Sequence, residues 1–177
     1  ASHGVAAVGE NDIAAIADAV ANADLALLGG GGLLQDYWPV ADDVLLTARH
    51  GGLPFYLAVP TLAALHGKPT VLAALGIGPL TTEAGRRQTR VAVELAVGGT
   101  VRDQASLELL AAIGAPPTVE LAADPAWALR PAPAAEVDTM LVSGGVAPGE
   151  TLLGLSVRPW DFGVEPVSWQ AAVAASL

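Results

Sequence analysis

The 177-residue chain predicts an α/β fold: a Rossmann-like three-layer domain with a mainly parallel sheet. Amphipathic helical stretches alternate with short apolar runs, and glycine-rich turns follow the apolar runs, which is the pattern of βαβ units. No apolar run reaches the roughly eighteen residues of a membrane span. In a parallel sheet the carboxyl ends of the strands line one rim, where open α/β sheets carry their ligands.

Ile13, Ile16 and Val20 recur at helical spacing between Asn11 and Ala23, with Asn11 and Asp12 as capping residues. Asp24 opens a strand whose apolar run breaks into Gly29-Gly30-Gly31-Gly32 and returns as Leu33-Leu34-Gln35-Asp36. This predicts a buried strand feeding a ligand-binding turn over 29–36, because glycine admits positive φ and close backbone approach, and successive N–H groups form an anion nest. A tight strand-to-helix connection without ligand is the plainer alternative.

Pro54 to His66 reads as a helix capped by Gly67, Thr70 to Leu75 as a buried strand, and Gly76-Ile77-Gly78-Pro79 as a second turn. Thr82 to Val97 reads as a helix with Arg86, Arg87 and Arg90 on its exposed side, ended by Gly98-Gly99 before the strand Thr100-Val101-Arg102. Asp103 caps a helix to Ile113, Gly114 closes it, and Val119 to Ala122 is a strand ending at Asp124-Pro125. Residues 1–130 thus form the Rossmann-like domain, and 131–149 a Pro-, Gly- and Ala-rich linker or excursion. Residues 150–177 supply a strand (Leu152 to Val157) and a helix (Val167 to Leu177), leading to a second Rossmann-like domain that is mostly absent. The turns at 29–36, 76–80, 102–106, 124–127 and 158–160 are expected on one rim.

Composition narrows the function. A net charge of −10 disfavours nucleic acid and anionic membrane surfaces as partners. Without Cys there is no disulfide, thiolate zinc site or cysteine nucleophile, and the cytoplasm is the expected compartment. His3, His50 and His66 stand too far apart for a metal motif, so neither metal nor cofactor is expected. No secretory signal can be read from the start, Ala1-Ser2-His3-Gly4, which reads as the middle of a protein.

Neither glycine turn fits a nucleotide fingerprint, and no Gly-Lys-Ser/Thr loop occurs, so NAD, FAD and ATP are disfavoured. Arg102-Asp103-x-x-Ser106 combines a guanidinium fork with a helix N-terminus, which suits phosphate or carboxylate. The plainer reading pairs Arg102 with Asp36 or Asp124 and makes Asp103 only an N-cap, the better reading for Asp103. Asp124 can bind a sugar hydroxyl, orient Arg102 or cap its turn. Arg158 is either a second cation of the rim or a surface residue ahead of Pro159, Trp38, Trp127 and Trp160 are sugar platforms or packing residues, and His50 is a loop histidine with acid–base capacity.

In order along the chain stand Gly30-Gly31-Gly32-Leu33-Leu34-Gln35-Asp36, Gly67-Lys68-Pro69, Gly76-Ile77-Gly78-Pro79-Leu80, Val101-Arg102-Asp103-x-x-Ser106, Asp124-Pro125 and Ser156-Val157-Arg158-Pro159-Trp160. This set, over residues 12–160, resembles the polysaccharide pyruvyl transferase family. The resemblance implies the N-terminal half of a GT-B-type two-domain protein that moves the pyruvyl group of phosphoenolpyruvate onto a lipid-linked or nucleotide-linked sugar as a ketal, in cell-wall or exopolysaccharide biosynthesis. It implies Arg102 as the phosphoenolpyruvate contact and catalytic residue, and Gly30, Gly31, Gly32, Gln35, Asp36, Gly76, Gly78, Asp103, Ser106, Asp124 and Arg158 as substrate-binding residues. It also implies a cytoplasmic enzyme, with the inner face of the membrane as a second placement.

Two departures stand out. Tyr37-Trp38-Pro39-Val40-Ala41-Asp42-Asp43 and the loop after it replace a shorter turn, which leaves the acceptor open, and no residue matches the His that serves as acid in the family's second domain. The isolated chain is therefore expected to bind phosphoenolpyruvate weakly or not at all and to yield no pyruvylated sugar, which mass spectrometry of the reaction products checks. A GT-B glycosyltransferase half binding a nucleotide sugar and a noncatalytic sugar-binding module are the competing readings.

Overall fold

The computed structural model describes residues 4–38, 40, 42–47, 49, 52–147, 149–157 and 166–176. The chain divides into two compact units, Ala1–Trp127 and Ala128–Leu177. In the first, α1 (Ile13–Ala21) leads to β1 (Ala26–Leu34), a 3-10 turn (Asp42–Val44) and α2 (Gly52–Leu65). Then follow β2 (Thr70–Ile77), α3 (Glu83–Leu95), β3 (Gly98–Val101), α4 (Gln104–Ala112) and β4 (Val119–Leu121). The strands form one sheet in the order β1-β2-β3-β4, every neighbouring pair parallel. Helices flank it, giving the Rossmann-like α/β class.

Apolar residues knit these elements together. Leu34, Leu72, Val101 and Val119 from the strands meet Leu57, Val93 and Leu110 from the helices in one core, and a smaller cluster of Val20, Ala26, Leu62 and Ala63 ties α1 to α2 and the start of β1. The expected caps form. Asp12 accepts the Ala15 N–H at 3.0 Å, Asp103 accepts that of Ser106 at 2.8 Å, and Gly67 and Gly114 follow α2 and α4 with φ of +64° and +69°.

The glycines depart from expectation. The run Gly29–Gly32 is not a turn: β1 continues through it to Leu34, with Gly31 beside Leu75 and Gly32 beside Gly76. A Cβ on Gly29 would stand 2.0 Å from the Ala73 carbonyl oxygen, so glycine there permits close approach of two strands. Gly76 likewise belongs to β2, which ends at Ile77, and the turn begins at Gly78 with φ +95°. Gly98-Gly99 does not end a helix but starts β3, where a Cβ on Gly99 would meet the Leu72 oxygen at 2.3 Å. The pairing of β2 with β3 is irregular between Leu72 and Leu75, and there the Thr100 hydroxyl accepts the Ala74 N–H at 3.0 Å.

The second unit holds α5 (Ala134–Ser143) and α6 (Pro166–Ala175). Helix α5 occupies the stretch read as a linker and buries none of its residues, so no apolar period marks it in the sequence. Residues 152–157 adopt no strand and are exposed, since apolar content alone does not make a strand without a ladder partner.

The Gly99 contact yields a stability prediction. Gly99→Ala must displace the Leu72 backbone and is expected to cost about 1–3 kcal/mol in urea unfolding. A Cβ on Gly114 meets nothing within 4 Å, so Gly114→Ala is expected to cost only about 1 kcal/mol, the strain of its positive φ.

Candidate active site

Backbone hydrogen bonds pull the strand ends into a continuous rim. The Gly78 N–H donates to Leu34 at 2.8 Å, Asp36 to Pro79 at 3.1 Å, Arg102 to Leu75 at 3.1 Å and Ala122 to Val101 at 2.9 Å. The order of strands then sets Gly32, Gly76, Arg102 and Asp124 along this rim.

Arg102 follows β3 and is the cation of the rim. Its guanidinium lies over Gly76, where a Cβ would come within 3.2 Å of both Nε and Nη2. Its Nη1 donates to Asp124 Oδ2 at 3.0 Å. Of the three roles open for Asp124, orienting Arg102 and capping its turn are both filled, because Oδ1 accepts the Ala126 N–H at 2.9 Å. The Ala126 N–H, and after it Arg102, hold the Asp124 carboxyl below the usual carboxylate range. The pair is about one-third exposed, so it is worth little as a stabilising ion pair, and its weight lies in aiming the guanidinium.

Asp36 is turned into the protein. It is 8% exposed, and its two oxygens accept the Thr81 and Thr82 N–H groups at 2.7–2.8 Å and both hydroxyls at 2.8–3.2 Å. The Thr82 hydroxyl also accepts the Gly85 N–H at 3.0 Å, capping α3. Burial pushes the Asp36 carboxyl up, but the hydrogen bonds from Thr81 and Thr82 prevail and hold it below its ordinary value of 3.8. Gly85 makes the contact possible, since a Cβ there would stand 2.6 Å from Oδ2.

Ser106 is 1% exposed and accepts the Ile77 N–H at 2.8 Å, so it fastens α4 to the end of β2. Asp103 is the N-cap of α4. Gly30 and Gly31 belong to β1, with open space beside Gly31, while Gly32 faces the Gln35 side chain, whose Oε1 would lie 3.3 Å from a Cβ. A Cβ on Gly78 would collide with Leu109. Arg158, Trp160, His50 and His3 lie outside the described residues. Trp127 is 88% exposed in the 3-10 turn Pro125–Ala128, and Trp38 is exposed on its loop. The sequence reading missed Thr81, Thr82, Gly85 and Thr100. Thr82 ahead of Glu83 is an N-cap pattern, but nothing in the sequence ties it to an aspartate 46 residues away.

The family model of the polysaccharide pyruvyl transferases matches residues 6–173, a span that contains the whole rim. The chain belongs to that family. No curated protein and no solved structure matches it at a significant level. As a polysaccharide pyruvyl transferase family member it is a transferase with a sugar or polysaccharide acceptor. Among its described residues, no helix is long and apolar enough to cross a membrane.

Asp36 gives this transferase fold an acid-sensitive anchor. A carboxylate with a lowered folded pKa adds stability above its unfolded value, and that stability is lost as pH falls through the folded value. Asp36→Ala is expected to lose about 2 kcal/mol at pH 7. Urea titrations should show the gap to the parent chain closing once pH falls below 3.8.

Proposed function

We propose that the rim is the donor side of a pyruvyl transfer site, using phosphoenolpyruvate and a sugar acceptor in cell-wall or exopolysaccharide biosynthesis. The observation that carries this reading is the Arg102 guanidinium, aimed by Asp124, seated over Gly76 and adjoining the N-terminus of α4. A bidentate cation beside a positive helix end suits the carboxylate or phosphate of phosphoenolpyruvate.

In this reaction a proton adds to C3 of the enol, making a methyl group and leaving C2 as an oxocarbenium-like centre. One sugar hydroxyl attacks C2 and loses its proton, phosphate departs with the C2–O electron pair, and the second hydroxyl closes the ketal with loss of another proton. Arg102 stabilises the negative charge on the donor through these steps. Both rim carboxylates are held below their ordinary values, hence ionised near neutrality, and neither suits the acid that protonates C3. Asp36 and Asp124 are positioning residues in this reading. Gln35 and the open backbone at Gly31 are the acceptor-side contacts, and no metal or cofactor takes part.

In the active enzyme that contains this chain, Arg102→Ala is expected to lower kcat/KM for phosphoenolpyruvate about 100-fold, near the 3 kcal/mol of a charge-assisted hydrogen bond. Arg102→Lys should recover only part, because an ammonium lacks the fork. Phosphate release and ketal formation are the readouts. An unchanged kcat/KM in Arg102→Ala, or activity with a UDP-sugar in place of phosphoenolpyruvate, overturns the assignment.

A further inference from the structure

The pairing of β2 with β3 carries an extra residue on β2. It runs from Leu72↔Gly99 to Leu75↔Val101, three steps along β2 against two along β3, which makes a β-bulge. Bulges are rare in parallel ladders and concentrate beside active sites. Ala74, inside the bulge, is 6% exposed and has φ +51°, a left-handed conformation that strains alanine and suits glycine. Its N–H donates to the Thr100 hydroxyl at 3.0 Å.

The extra residue decides what lies under Arg102. A regular ladder continued from Leu72↔Gly99 sets Leu75 opposite Arg102, and paired residues of parallel strands point their side chains to one face. Leu75, fully buried in the core, would then share a face with the guanidinium. The bulge moves the pairing on by one residue. Leu75 keeps its place in the core, its carbonyl accepts the Arg102 N–H at 3.1 Å, and Gly76 comes under Nε and Nη2. We propose that Thr100 is a positioning residue for Arg102, its hydroxyl holding the bulge at Ala74 that sets Gly76 rather than Leu75 beneath the guanidinium. Only the consequence for catalysis rests on the transfer reaction proposed above. The register itself does not.

Thr100→Val keeps the shape of the side chain and removes the acceptor. In the active enzyme that contains this chain it is expected to lower kcat/KM for phosphoenolpyruvate about tenfold, the scale of one lost hydrogen bond, and to speed hydrogen exchange at the Ala74 amide. Thr100→Ser, which keeps the hydroxyl, should stay within about twofold of the parent. Ala74→Gly added to Thr100→Val should restore most of the loss, because glycine holds the left-handed angle unaided. In an Arg102→Ala background Thr100→Val should lower kcat/KM no further, whereas a merely structural loss would multiply. If Thr100→Val alone does not fold, the double variant with Ala74→Gly decides, with parental kcat/KM expected. Parental kcat/KM in Thr100→Val, a loss that persists with Ala74→Gly or multiplies with Arg102→Ala, or unchanged exchange at Ala74 overturns the proposal. Were Arg102→Ala itself to retain kcat/KM, the transfer reading would fail, and exchange at Ala74 would still decide whether Thr100 holds the bulge.

Discussion

The Asp36 carboxylate joins two elements that the chain separates by 46 residues, and the geometry of the rim depends on that join. It lies at the positive end of α3 and accepts the N–H groups of Thr81 and Thr82 just ahead of the helix, while the Thr82 hydroxyl caps Gly85. Because Asp36 follows β1 directly and Thr82 caps α3, the same oxygens set the height of the helix against the end of the sheet. The missing side chain at Gly85 lets the carboxylate reach the helix. An anion supplied by the protein therefore fills one helix N-terminus, and Arg102 stands beside another, that of α4.

The rest of the rim follows the same logic of small residues making room for charged ones. Gly76 gives the Arg102 guanidinium a floor, and Asp124 aims it from the adjacent strand end. Ser106 ties α4 to Ile77, so the helix beginning next to Arg102 cannot drift from β2. The guanidinium keeps donors beyond its one bond to Asp124, and the proposed donor contact draws on them.

Much of this was legible along the chain. The alternation of helical and apolar stretches, the caps Asp12 and Asp103, and the rim position of Arg102 all rest on local patterns, and local patterns survive folding. The glycines were misread because their signature is ambiguous: Gly29 and Gly99 look like turn formers, yet they serve the close approach of neighbouring strands. Helix α5 escaped because none of its residues is buried, so no apolar stripe distinguishes it. The strand expected at 152–157 failed for the opposite reason, apolar residues without a partner.

The sequence by itself determined the α/β class, the family and the residues able to carry charge at the strand ends, since each is written in period, spacing or residue type. Only the tertiary structure decided what each charge does. Asp36 and Asp124 are both acids next to strand ends, and no local pattern distinguishes them. One is buried on the amides of Thr81 and Thr82 just ahead of α3, and the other stands at the surface holding Arg102. Partners 46 and 22 residues away make that difference, and hydrogen bonds between distant segments exist only once the sheet has set its strands side by side.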